Sequence, residues 1–127
     1  MTALEAGVVA ADAHALADFY TSGMGFTLER VLDLPQGTVL RLVQDDARLK
    51  IFQPVEPPEA TGPDQAWNTT TGFSYAALHV DDASRAVDQA VAAGATVVTE
   101  VTNHRPGAWF ALIEDPDGNI WEILQED

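Results

Sequence analysis

Residues 5–20, EAGVVAADAHALADFY, open with a short apolar run and pass at Asp12 into an alanine-rich stretch whose apolar positions recur at helical spacing. Residues 75–90, YAALHVDDASRAVDQA, repeat that pattern at an offset of 70, with Asp82 standing where Asp12 stood. Each copy predicts a strand, an aspartate N-cap and an amphipathic helix. Glycines then mark the helix stops, Gly23 and Gly25 in the first copy and Gly94 in the second.

The likeness continues. The turn signal PQG at 35–37 answers RPG at 105–107, and TVLRLVQD (38–45) answers AWFALIED (108–115), both at an offset of 70. The final strands LKIFQ (49–53) and WEILQ (121–125) match at 72, because the turn Asp115-Pro116-Asp117-Gly118-Asn119 is longer than its counterpart Asp45-Asp46-Ala47-Arg48. Agreement of helix, turn and last strand, in order, marks a duplication. The expected fold is α+β: two tandem βαβββ modules forming a curved mixed sheet around a small-molecule pocket. Module one covers about 1–53, module two about 73–127, and both lie in one domain, 1–127. The linker 54–72 is rich in Pro, Gly, Thr and acidic residues, with Trp67 as its one large apolar anchor or pocket-rim residue.

Composition narrows the chemistry. With no cysteine, a disulfide framework, a zinc–thiolate site and a cysteine nucleophile are all excluded. No run approaches the roughly 20 apolar residues of a membrane span, and no signal-peptide pattern opens the chain, so the expected address is cytoplasmic. Twenty acidic residues against six basic ones give a net charge of −14, which disfavours nucleic acid and anionic membranes and serves either solubility, as in a salt-adapted host, or the attraction of a cationic ligand. Only Arg30, Arg41, Arg48, Lys50, Arg85 and Arg105 are available to hold anionic groups, which argues against glutathione, CoA or fosfomycin-type transfer.

Strand alternation then selects positions. In module two, Leu78, Val80, Trp121 and Ile123 suit the helix side, which leaves Tyr75, Ala77 and His79 with Ile120, Glu122 and Leu124 on the other face. The same parity in module one selects Glu5, Gly7, Val9, Lys50 and Phe52. Glu5, Lys50, Tyr75 and Glu122 are therefore the expected polar groups of a shared concave surface, and Glu122, set among apolar neighbours, needs a functional or structural reason. In the strand 108–114, Trp109, Ala111 and Ile113 take one side and Phe110 and Leu112 the other, and either side could face the ligand.

The paired modules, the helix ending ADFYTSGMGF and above all EDPDGNIWEILQ resemble the vicinal oxygen chelate superfamily, which holds glyoxalases, ring-cleaving dioxygenases and bleomycin-resistance proteins. The resemblance covers nearly the whole chain and implies a homodimer. In metal-dependent members one residue on the first strand and one on the last strand of each module hold a divalent metal. Glu5, Lys50, Tyr75 and Glu122 stand at those places, where the usual set is His, Glu or Gln, His, and Glu. Lys50 repels a cation and Tyr75 is a poor ligand, so no metal and no cofactor is expected, with Lys50 supplying the missing charge.

Three functions follow as expectations. The first is a bleomycin-resistance-like protein that sequesters an aromatic or cationic small molecule. The second is a metal-free isomerase, epimerase or lyase in which Glu122 or Glu5 moves a proton and Lys50 or Tyr75 steadies an enolate. The third is a metal-dependent lyase or dioxygenase with unusual ligands, for which Glu5, His79 and Glu122 are the available set. Whether the chain is an enzyme stays open between them. His79, Phe52, Trp109 and Trp67 are candidate ligand contacts, while His14 and His104 are expected at the surface.

Overall fold

The computed structural model describes residues 1–59 and 66–127. It resolves into two compact units, Met1–Thr61 and Gly62–Asp127, each described by itself below. Of the linker expected at 54–72, residues 60–65 lie outside the described residues.

Unit 1 runs β1 (Ala6–Val9), α1 (Ala13–Met24), β2 (Thr27–Leu34), β3 (Gly37–Gln44) and β4 (Ala47–Pro54). Its sheet has the order β1-β4-β3-β2, with β1 parallel to β4 and the other pairs antiparallel. Asp12 caps α1 as the pattern predicts, its carboxylate accepting from Ala15 N at 3.0 Å. The helix ends at Gly25 rather than Gly23: Gly25 takes the left-handed φ of 79° that stops the helix, whereas Gly23 is buried inside its last turn. Leu16, Phe19, Tyr20 and Met24 form the buried stripe of α1, Leu40, Leu42, Leu49 and Ile51 are the most deeply buried side chains of β3 and β4, and Val39 on β3 is buried as well. Burying each such side chain contributes about 1.5–3 kcal/mol, and Tyr20 also meets Phe19 and Phe26 edge-on.

Unit 2 repeats the plan as β5 (Tyr75–His79), α2 (Ala83–Ala93), β6 (Thr96–Arg105), β7 (Ala108–Glu114) and β8 (Ile120–Glu126), in the sheet order β5-β8-β7-β6. Asp82 caps α2 through Arg85 N at 3.0 Å. Val87 and Ala90 are buried on the helix, and Ala111, Ile113, Trp121 and Ile123 on the strands. The fold is therefore α+β with two βαβββ modules, each a four-stranded mixed sheet carrying one helix. Among the described residues no helix is long and apolar enough to cross a membrane.

One part of the repeat differs from the sequence alignment. Arg41 faces Lys50 and Leu112 faces Glu122, so the third strands correspond at an offset of 71 instead of 70. The cause lies in the second strands. Both carry a bulge near their start, at Leu28/Arg30 and Val97/Thr99, but β6 has further register shifts and runs ten residues against eight for β2.

Candidate functional site

Each sheet has one face under its helix and one face without it. In unit 1 the pairings Gly7 with Lys50 and Lys50 with Arg41 set these three positions side by side on the helix-free face. Glu5 follows the same alternation two residues before Gly7 and reaches back across them. Its Oε1 lies 3.1 Å from Lys50 Nζ and its Oε2 lies 3.3 Å from Arg41 Nη2. The Glu5 side chain is 23% exposed, Arg41 32% and Lys50 45%, so the cluster is half-buried and open to a ligand. The hydrogen bond from Lys50, opposed by partial burial and aided by Arg41, holds the Glu5 carboxyl below its ordinary value of 4.5. Lys50 stands on β4, an interior strand between β1 and β3. Arg41 was not singled out as a site residue from sequence; its face follows from its pairing with Lys50 across β3 and β4.

Phe52 shares the face with Lys50 one alternation further along β4, opposite Val9 and Val39. Gly37, at the start of β3, closes this end. A Cβ there would come within 2.2 Å of Gln53 O, so the β2–β3 turn packs against β4 only with glycine.

In unit 2, Ala77 stands beside Glu122 and Glu122 beside Leu112, again on the helix-free face. Tyr75 and His79 take the flanking positions on β5, with Ile120 and Leu124 beside them. Among the described residues no hydrogen bond or ion pair engages the Glu122 side chain. Trp67 packs edge-on against Tyr75 with ring centroids 5.6 Å apart, so this linker residue is tied to the strand that carries Tyr75. His79 Nδ1 lies 3.8 Å from Glu126, which also pairs with Arg105. His104 meets Phe110 edge-on at 5.4 Å. The question left open for the third strand is answered by register: Phe110 and Leu112 share the face of Glu122, whereas Trp109 pairs with Gln125 on the helix side. Phe73 is fully exposed and His14 is exposed on α1.

The segment that carried the strongest family signal is a folding device in this chain. Asp115, only 4% exposed, accepts from Asp117 N at 2.9 Å, Asn119 N at 2.8 Å and Asn119 Nδ2 at 2.8 Å. These bonds shape the Pro-Asp-Gly turn and deliver Ile120, Trp121 and Glu122 onto β8 in register.

Neither unit offers a donor set suited to a divalent cation. In unit 1 the two positions are an acid and an ammonium, and both oxygens of that acid are already engaged by cations. In unit 2 they are a phenol and one carboxylate, flanked by Ala77 and Leu112. Among the described residues no group of three or more His, Asp or Glu side chains could hold a metal ion. Within either unit the residues at these positions do not fit a divalent cation.

Comparison with known proteins agrees with the architecture. A glyoxalase family protein from Bacillus cereus superposes with a TM-score of 0.82 at 15% identity, covering 99% of this chain and 95% of that one. A glyoxylase/bleomycin resistance protein/dioxygenase domain from Frankia sp. EAN1pec gives 0.80 at 13% identity, over 100% and 93% of the two chains. TioX from Micromonospora sp. ML1 gives 0.73 at 18% identity over 100% of both. At such identities these likenesses show the fold. No curated protein matches the sequence. The family model described as Glyoxalase/Bleomycin resistance protein/Dioxygenase superfamily matches residues 3–123, nearly the full chain. With that match and the two βαβββ modules, the chain belongs to the glyoxalase/bleomycin resistance protein/dioxygenase superfamily.

Proposed function

We propose that this chain binds and sequesters a small molecule, a metabolite or drug, on the helix-free sheet faces, with the Glu5–Lys50–Arg41 cluster taking the role that a divalent cation has in metal-dependent relatives. The observation that carries this reading is the double engagement of Glu5 by two cations. A carboxylate so neutralised is a weak metal ligand, and the Lys50 and Arg41 heads supply fixed positive charge beside it. The protein acts in the cytoplasm as a homodimer.

The test is elemental analysis of the purified protein, with melting curves in Mg, Mn, Ni and Zn salts and in EDTA. No stoichiometric metal and an unchanged Tm are expected. A bound divalent ion that is lost in Glu122→Ala overturns the reading.

A second reading draws on Glu122. A carboxylate half-buried among Ala77, Leu112, Ile120 and Leu124 with no partner among the described residues is equipped to move a proton next to a carbonyl. Incorporation of solvent deuterium into a bound carbonyl compound, lost in Glu122→Gln, distinguishes this isomerase or lyase chemistry from sequestration. Binding without exchange supports the first reading.

A further inference from the structure

Four of the six basic residues of the chain, Arg30, Arg41, Arg48 and Lys50, follow the alternation that leads to the helix-free face of the first sheet. Three of them form a row. Arg30 on β2 stands opposite Arg41 on β3, which stands opposite Lys50 on β4, and the row ends at Gly7 on β1. Like charges directly across a ladder destabilise a sheet. Here two such pairs run in succession, and Glu5 answers only Arg41 and Lys50.

The bulge makes this row. Thr27 pairs with Val43 and Leu28 with Leu42, so an unbroken ladder would set Glu29 against Arg41 and give an ion pair. The register shift between Leu28 and Arg30 brings Arg30 there instead. Glu29 is the remaining acid beside the row, and among the described residues no ion pair joins it to either arginine. The second sheet has the same bulge, yet its equivalent row is Thr99, Leu112, Glu122 and Ala77, which carries no cation.

The next row along the first sheet is Leu32, Val39, Phe52 and Val9, all apolar. Two residues of strand separate the rows by about 7 Å, the span from a carboxylate to the far edge of a benzene ring. Arg41 meets Glu5 through Nη2, and Lys50 meets it with Nζ, contacts that leave the rest of the guanidinium fork and two ammonium protons for a second acceptor.

We infer that this face recognises an apolar carboxylate, its oxyanion on Arg30, Arg41 and Lys50 and its apolar body on Leu32, Phe52 and Val9, the three of that row left accessible beside the buried Val39. The inference rests on the reading of the face as a ligand-binding surface and names the ligand class. The overall charge of −14 draws cations from a distance, but salt screens that field within about 8 Å, and the row sets the local sign.

The test is a titration of the isotope-labelled full chain with benzoate, benzamide and acetate at low ionic strength, read by amide shifts at Gly7, Arg41 and Lys50. Benzoate is expected to bind saturably, and benzamide and acetate each roughly tenfold more weakly or worse. Arg41→Gln weakens benzoate by a similar factor. Glu5→Gln, which removes the internal carboxylate that competes for both cations, tightens it, a result no loss of folding can imitate. Benzamide binding as well as benzoate, or Glu5→Gln failing to tighten it, overturns the inference and leaves the small-molecule reading standing. Fixed signals across the face with all three probes overturn the inference as well and leave the small-molecule reading to its own test.

Discussion

Gln53 Oε1 accepts a hydrogen bond from Ala13 N at 2.8 Å, tying the first turn of α1 to the strand that carries Lys50. Unit 2 makes the same joint, with Gln125 Oε1 accepting from Ala83 N at 2.8 Å on the strand that carries Glu122. A helix N-terminus leaves its first N–H groups without intrahelical partners. Aspartate and glutamine divide them here: Asp12 and Asp82 take the N–H three residues on, and the two glutamines take the first. Helix and interior strand, β4 or β8, are thereby fixed to each other in each unit.

Replacing Gln53 with Ala leaves the Ala13 N–H without its acceptor at a half-buried position. The expected cost is about 1–2 kcal/mol of stability, read as a lowered urea midpoint with little change in slope. Gln125→Ala should cost a similar amount. An unchanged midpoint in both variants would mean that water replaces the glutamines freely.

Asp115→Ala should be the more damaging change. It removes the acceptor of three hydrogen bonds at a residue 4% exposed and opens the turn that starts β8. We expect about 3 kcal/mol of destabilisation by thermal or urea unfolding. Asp115→Asn keeps a side-chain acceptor and should fall between Ala and the native chain.

Glu5 gives a pH signature. Its folded-state pKa lies below 4.5, so between the two values the unfolded chain binds more protons and stability rises with pH. The contribution of Glu5 is fully present above 4.5 and is lost as pH falls through the lowered folded value. Glu5→Gln should therefore be less stable than the native chain at pH 7 by up to about 1 kcal/mol, as expected for a partly exposed ion pair. The gap should close on acidification below 4.5. A gap that stays constant down to pH 3 would show that the carboxylate charge contributes nothing.

The fold was legible because its signals are local and redundant. Asp12 and Asp82 mark two helix starts, and apolar alternation marks the strands, so the duplication is legible in the sequence itself. The parity that set Glu5 with Lys50 and Tyr75 with Glu122 on helix-free faces agrees with the strand register. The side taken by Trp109 was not legible, and the cause is physical. A bulge inserts a residue without a turn signal, so the extra shifts in β6 moved the third-strand alignment by one, and a shift of one residue exchanges the two faces of a strand. The long-range pairing of Arg41 with Glu5 likewise has no local trace, since 36 residues separate them.

The row of like charges yields the last prediction. Arg30 faces Arg41 across the β2–β3 ladder, and among the described residues no acid pairs with it. Arg30→Glu turns that cross-strand repulsion into an attraction worth roughly 0.3–1 kcal/mol, so this variant should unfold at higher urea concentration than the native chain. Arg30→Gln, which only removes the repulsion, should gain less. If the row exists to hold an anion, the same two variants should bind benzoate more weakly, in the order Glu, then Gln, then native. Stability and binding would then move in opposite directions at one residue, as expected when a site keeps unfavourable charge for its ligand. A variant that gains stability and keeps its benzoate affinity would instead assign Arg30 to the solvated edge of the sheet, and would confine anion recognition to Arg41 and Lys50.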